Sequence, residues 1–206
     1  MTVVELRETI PNDIFTALEL NGSLGGYRNK AAKVASLLRR GEIIQIRRGL
    51  YTFAAPLRRE TLASGLLANR IYGPSYVSED FALSYHGLIP ETPAVVTSMA
   101  MGRSREFITD FGIFSYRYCR SHAYPIGVIA VGEGQNRYLL ATAEKALFDK
   151  ALYDQRFAGD DPESYLLADL RMDLDKIKQF DKQLLALLAP FMCGRLRKLQ
   201  QFLEAL

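Results

Sequence analysis

The chain has 206 residues, 49% of them hydrophobic, enough for one large core or two small ones and too apolar for a disordered protein. Lys and Arg outnumber Asp and Glu only by 26 to 23, so the molecule is no general polycation and must meet any polyanion through a local patch. No run approaches the roughly 20 apolar residues of a membrane span, and MTVVELRETIPND lacks the basic and then apolar layout of a signal peptide; a cytoplasmic protein without a membrane partner is expected.

Thr2 to Glu8 reads as a first short helix closed by Pro11. Ile14 to Leu20 reads as a second, with Asn21 and Gly22 as its stop and Gly25 and Gly26 making the next turn. These glycines are not a phosphate loop, because no strand precedes them and no lysine followed by Ser or Thr comes after. A third helix is expected from Arg28 to Arg40. At about 100° per residue, Ala31, Val34, Ala35 and Leu38 share one side with Leu37 at its border, while Asn29, Ala32, Lys33, Ser36 and Arg40 share the other. The first set reads as a core stripe. The second is polar, basic and slim, which suits a helix lying in a DNA major groove. Gly41 after two arginines is the expected stop, since glycine accepts the left-handed cap and cations suit the last turn.

EIIQIRRGLYTF then reads as a hairpin with Arg48 and Gly49 at its tip. The expected register sets Leu50 opposite Arg47, Tyr51 opposite Ile46 and Phe53 opposite Ile44, leaving Gln45 and Thr52 on the other face. A basic helix feeding into a ribbon with an arginine tip is the layout of a winged helix-turn-helix. From Tyr27 to Arg59 there are nine cations against Glu42 alone, a net +8 in a chain of net +3, so the remainder is net −5. Charge focused in this way points to a polyanion. The ordinary alternative is a solvated helix and hairpin without a ligand.

Ala54 to Arg59 contains Pro56 and two arginines and is taken as the boundary between a domain over 1–55 and a second over 60–206. A helix is expected over Thr61 to Arg70, with Leu62, Leu66 and Leu67 inward, broken by Tyr72, Gly73, Pro74 and Ser75. Ser78 reads as the N-cap of the next, which Gly87 closes after His86. His86 lacks a nearby nucleophile pattern and is assigned a structural role. Ala94–Met99, Arg105–Ile108, Ile113–Cys119, Ile126–Val131 and Asn136–Leu140 read as short strands of a small, largely antiparallel sheet. In FSYRYCR, Phe114, Tyr116 and Tyr118 alternate with Ser115, Arg117 and Cys119; aromatics between arginines could stack on RNA bases, but core packing is the better account.

Thr142 is expected to cap a helix that buries Ala146, Leu147 and Leu152. Glu144 and Lys145 superficially suggest a restriction-type nuclease, yet they are adjacent and lack the acid-x-lysine spacing such a site needs. Helices follow over Glu163–Leu170, Leu174–Leu188 and Phe191–Leu206. Their apolar stripes, Ile177, Leu184, Leu185 and Leu188, then Leu196, Leu199, Phe202 and Leu203, must be covered by the sheet domain, a second subunit or a partner. Cys119 and Cys193, with His86 and His122 as the only histidines, lack zinc-site spacing and are expected as reduced thiols. No cofactor is indicated, and the fold class expected is α+β.

Three blocks of the chain, LLRRGEIIQIRRGLYTF, YVSEDFALSYHGLIPE (Tyr76 to Glu91) and ATAEKALFDKAL (Ala141 to Leu152), resemble in the same order segments of the AbiEi family, the antitoxins of type IV toxin-antitoxin systems. The resemblance implies an N-terminal winged helix that represses the operon and a C-terminal domain that counters a nucleotidyltransferase-like toxin. The helical tail after Asp161 matches no block of that family. The chain itself does not read as the toxin, because Gly22 and Ser23 are not followed by the paired carboxylates that hold metal against a nucleotide.

The function expected is therefore sequence-specific binding to operator DNA, in a dimer or a cooperative assembly. Asn29, Lys33 and Ser36 are the candidates for base edges. Arg28, Lys30, Arg39, Arg40, Arg47 and Arg48 are the candidates for phosphates, with one arginine of the hairpin available to the minor groove. A free-standing regulator without a toxin is the alternative, and a nucleic-acid-processing enzyme a more distant one.

Overall fold

A computed structural model of the protein describes residues 1–120, 122–192 and 194–206. It is a mixed α+β protein with a small antiparallel sheet, a larger mixed sheet and ten helices among the described residues.

The N-terminal module runs α1 (Val3–Thr9), β1 (Ile14–Thr16), α2 (Ala17–Ser23), α3 (Lys30–Arg39), β2 (Ile43–Arg47) and β3 (Leu50–Phe53). The first surprise is β1. Ile14 to Thr16, expected within a helix, pairs antiparallel with Thr52 to Leu50, and helix α2 begins only after Thr16. Thr16 explains the switch: its hydroxyl accepts from the Glu19 N–H while the Glu19 carboxylate accepts from the Thr16 N–H, a complete capping box. Thr2 and Glu5 cap α1 in the same way.

The hairpin forms with Arg48 and Gly49 at its tip, and Leu50 lies opposite Arg47 as expected. The remaining register differs: Ile43 faces Phe53, Ile44 faces Thr52 and Gln45 faces Tyr51, with a bulge at Ile46. The expectation assumed that one face of the ribbon is wet. Both faces of the sheet are instead buried. Phe15, Ile43 and Phe53 pack with Leu6, Ile10, Leu20, Leu24 and Leu37 in a core under the helices. Ile14, Ile46 and Leu50 join the core of the larger body. The bulge sends Ile46 and Arg47 to that same side, where the Arg47 Nε donates to the Ile71 carbonyl.

The larger body is organised on a six-stranded sheet in the order β6-β7-β5-β4-β9-β8: Arg105–Thr109, Gly112–Tyr118, Val95–Ala100, Ser75–Val77, Tyr138–Ala141 and Val128–Val131. The sheet is mixed rather than largely antiparallel, because β5 with β7 and β4 with β9 run parallel. Its inner strand β4 lies just after the Gly73-Pro74 turn, a three-residue segment too short to show any alternation. Helix α4 (Ser64–Ile71) buries Leu66 and Leu67 against it as expected. Helices α5 (Glu79–Tyr85) and α6 (Ala143–Tyr153) pack on each other and on the sheet. Phe114 and Tyr116 are buried, so the aromatic face of β7 is a core face, whereas Tyr118 is 48% exposed.

The tail comprises α7 (Pro162–Ser164) running into a π turn, then α8 (Leu174–Ile177), α9 (Lys182–Leu188) and α10 (Gly194–Ala205). Ile177, Leu185, Leu188, Leu196, Leu199 and Leu203 enter the same core as the sheet, so the body itself covers both apolar stripes. Cys193 lies outside the described residues. Cys119 is a buried free thiol, and burial holds its pKa above the ordinary value.

Asp13 pins the two bodies together. Its buried carboxylate takes Arg7 Nη2 at 2.7 Å and the Arg59 and Glu60 N–H groups at 3.0 Å each, while its own N–H donates to Gln135 Oε1 in the turn between β8 and β9 of the larger body. Ala54–Arg59 is consequently no free linker. Removing the carboxylate leaves the Arg7 guanidinium, which keeps its bonds to the Leu57 and Ile10 carbonyls, without a counter-charge and two N–H groups unpaired, so Asp13→Ala is expected to cost on the order of 3 kcal/mol in urea unfolding, against a negligible change for exposed Glu8→Ala.

Ser78 stands at the start of α5 but does not cap it with its side chain; the hydroxyl donates to Asp149 Oδ2 at 2.8 Å. Next to it Glu79 holds a left-handed backbone (φ 50°) and is 1% exposed. Burial raises its carboxyl to about 8; Arg117, 3.3 Å away, and Lys150 pull it down, while Asp149 and Asp80 push it up. The folded state thus holds a proton that the unfolded chain has released. This contribution to stability is complete below pH 4.5 and is lost as pH rises through 8. Unfolding free energy should therefore fall across that window, and Glu79→Gln should flatten the fall.

Candidate nucleic-acid interface

Helix α3 starts two residues later than expected, because Asn29 is its N-cap: the side-chain oxygen accepts from the Ala32 N–H at 3.0 Å. That oxygen is committed to the backbone, which argues against a base-edge role for Asn29. Gly41 ends the helix region with φ 64°, as expected of a left-handed stop.

The helix is rotated relative to the expected amphipathic division. Leu37, assigned to the border, is fully buried, and Lys30, Lys33, Val34 and Leu38 are half-buried around it. At about 100° per residue the pole opposite Leu37 carries Ala32, Ala35 and Arg39, all exposed with Ala31 beside them; Arg28, also exposed, precedes the N-cap and lies outside the helix. The displacement has a local cause. Lys33 lies over the Tyr27 ring at 5.3 Å and donates to the Met1 carbonyl, while Tyr27 packs on the core below the helix. The lysine stem thus covers apolar surface with its charged end at the edge, and the side expected to face outward is partly closed. Ala31, Val34, Ala35 and Leu38, the expected inner stripe, line an open groove of about 330 Å³ with Leu20 and Tyr51.

The nine candidate residues divide by what their side chains already do. Lys30 donates to the Asn21 carbonyl at 2.8 Å. Arg40 pairs with Glu42 at 3.4 Å while staying half exposed. Arg47 turns inward to Ile71 and bonds the Arg48 carbonyl. Ser36 is half-buried. Arg28, Arg39 and Arg48 are exposed and make no side-chain hydrogen bond or ion pair among the described residues. Beyond the nine, Arg58 donates to the Phe53 carbonyl and lies over Phe111, and Arg59 donates to the Pro11 carbonyl.

Arg28 lies just before the N-cap and Arg39 is the last residue of the helix, whose ten residues span about 15 Å. Between them the surface is alanine, so a partner could approach the helix backbone closely. The hairpin is short: Gly49 at its tip accepts from the Ala17 N–H at 2.9 Å, which holds the tip against the start of α2. Arg48 is the one hairpin arginine left to solvent.

Ala32 is exposed as expected, whereas Ala31 and Ala35, read from the sequence as part of the core stripe, are exposed beside it; their small apolar side chains gave no signal that they faced outward. In the larger body, Glu144 and Lys145 turn to different partners, the Asp181 N–H and the Asp149 carboxylate. His86 Nε2 is hydrogen-bonded to the Ala141 carbonyl at 2.8 Å. Among the described residues no three His, Cys, Asp or Glu side chains converge as metal ligands. Among the described residues no helix is long and apolar enough to cross a membrane.

Compared with models of protein families and with curated proteins, the chain matches none.

If the lysine stem only covers Tyr27, Lys33→Met should preserve folding and any DNA affinity to within about twofold, whereas Lys33→Asp should lower the melting temperature by exposing the Tyr27 face. Circular dichroism melts of the two variants check the assignment.

Proposed function

We propose that the protein is a DNA-binding transcriptional regulator whose N-terminal module is a winged helix-turn-helix. The observation that carries the reading is the outward face of α3: three exposed alanines with Arg39 at its end and Arg28 just before its N-cap, both arginines without a side-chain partner among the described residues, in a module whose cations outnumber its acids nine to one over Tyr27–Arg59. Alanine permits close approach to base edges and thymine methyl groups, and arginines at the two ends suit phosphates on either side of a groove. The element order helix, strand, helix, helix, strand, strand, with β1 against β3, supports the same reading. Arg28, Arg39 and Arg48 are the phosphate contacts in this proposal, with Arg40 available by exchange from Glu42.

The finer reading is that the protein represses its own operon as the antitoxin of a type IV pair, with the larger body countering a nucleotidyltransferase-like toxin. It rests on the resemblance of the three sequence blocks to AbiEi antitoxins. A regulator that stands alone shares the DNA-binding part and differs in having no toxin beside it. A single short module with three free arginines makes few phosphate contacts, so the assembly on DNA is expected to be a dimer or a cooperative array.

Footprinting on DNA upstream of the coding region should give discrete protection that survives competitor. Diffuse, competitor-sensitive binding would reject sequence-specific regulation. Replacing Arg28, Arg39 or Arg48 by Ala should weaken all sequences alike and reduce the salt slope by about one each. Ala35→Glu, at an exposed position, should abolish protection with an unchanged melting temperature; retained protection would exclude the alanine face from the interface.

A further inference from the structure

The larger body contains a cavity that the DNA-binding reading does not use. It lies between the end of β7, helix α6 and the tail helices α9 and α10, and measures about 300 Å³. Its walls are apolar, made by Phe148, Leu188, Met192 and Leu196. Its rim carries three of the molecule's exposed large apolar side chains: Tyr118, Leu152 and Phe191, at 48%, 37% and 36% exposure. Leu152 is there against the expectation that it is buried, since α6 offers it to the cavity rather than to the core. An apolar chamber of this size with an apolar mouth has the form of a small-molecule site.

The polar end of the chamber is built from buried groups. Lys145, Asp149 and Cys119 line it, each under 5% exposed. The Asp149 carboxylate is filled: Oδ2 accepts from the Tyr76 and Ser78 hydroxyls at 3.0 and 2.8 Å, and Oδ1 meets Lys145 Nζ at 3.0 Å. Lys145 is not filled. An ammonium has three N–H donors, and this one meets a single polar atom among the described residues. Arg120, next to Cys119 and exposed on the cavity lining, has no side-chain partner among the described residues and adds a second cation at the same end. With Asp149 balanced by Lys145, the local excess is positive.

From this geometry we infer that the cavity binds a small organic carboxylate with an aliphatic or aryl-alkyl body, its head on Lys145 and Arg120 and its body between α6, α9 and α10. The head completes the donors of Lys145, and the body covers the apolar rim. A neutral molecule of the same shape satisfies the walls but leaves the ammonium short of acceptors, so the head group should discriminate. The site stands apart from α3 and does not depend on what the basic module binds.

The test is calorimetric titration of the full chain with octanoate below its micellar range, with octanol as the neutral control. Octanoate should bind saturably with one equivalent and about tenfold or more tighter than octanol. Lys145→Met should bring octanoate down to the affinity of octanol. Ala123→Phe, which fills the chamber without touching a charge, should abolish binding of both. Equal affinities for the acid and the alcohol, octanoate binding untouched by Ala123→Phe, or no saturable heat would each overturn the assignment. Should Lys145→Met fail to fold because Asp149 loses its partner, the head-group comparison and Ala123→Phe still decide.

Discussion

The structure depends on a three-stranded sheet too small to leave either face in water. Three, four and five residues long, its strands offer few pairing bonds, so they persist by burying both sides. Phe15, Ile43 and Phe53 are drawn beneath the N-terminal helices, and Ile14, Ile46 and Leu50 into the larger body. The bulge at Ile46 follows from this demand, since an unbroken ladder would not set Ile46 and Arg47 together on the side of the larger body. Asp13, just before the first of these strands, then collects the polar groups that the junction would otherwise strand.

That arrangement also sorts the positive charge. A cluster that looks uniform in sequence contains, besides Arg40 in its pair with Glu42, cations of two kinds. Lys30, Lys33, Arg47, Arg58 and Arg59 each donate to a backbone carbonyl of their own chain, satisfying acceptors at turns and element ends. Arg28, Arg39 and Arg48 have no such duty. Charge density alone would therefore overstate the proposed interface: its field is that of the whole cluster, but direct contacts would come from the few side chains with free donors.

Much of the fold was legible because local signals agreed. Gly41 and Gly49 marked the helix stop and hairpin tip, Thr142 marked the start of α6, and five strands of the large sheet showed β-rich runs between glycines. What escaped was decided at a distance. Ile14–Thr16 and Ser75–Val77 are three-residue strands whose identity comes from their neighbours in the sheets. The hairpin register slipped because nothing in EIIQIRR indicates that a second body covers the ribbon. The rotation of α3 turned on Lys33, whose charge reads as solvent-facing although its stem lies on Tyr27. The polar end of the large cavity was hidden for a similar reason: Tyr76, Cys119, Lys145 and Asp149 come from three separate stretches of chain.

The bond from Arg47 to the Ile71 carbonyl carries a consequence for how copies of the protein would be arrayed. Together with Asp13 it ties the basic module to the larger body at two points, so α3 cannot swivel on a tether. If two copies associate through their larger bodies, the distance and phase between their α3 helices are set by protein geometry alone. Paired half-sites would then tolerate one separation along the duplex, and inserting half a helical turn between them would place the second helix on the wrong side of the DNA.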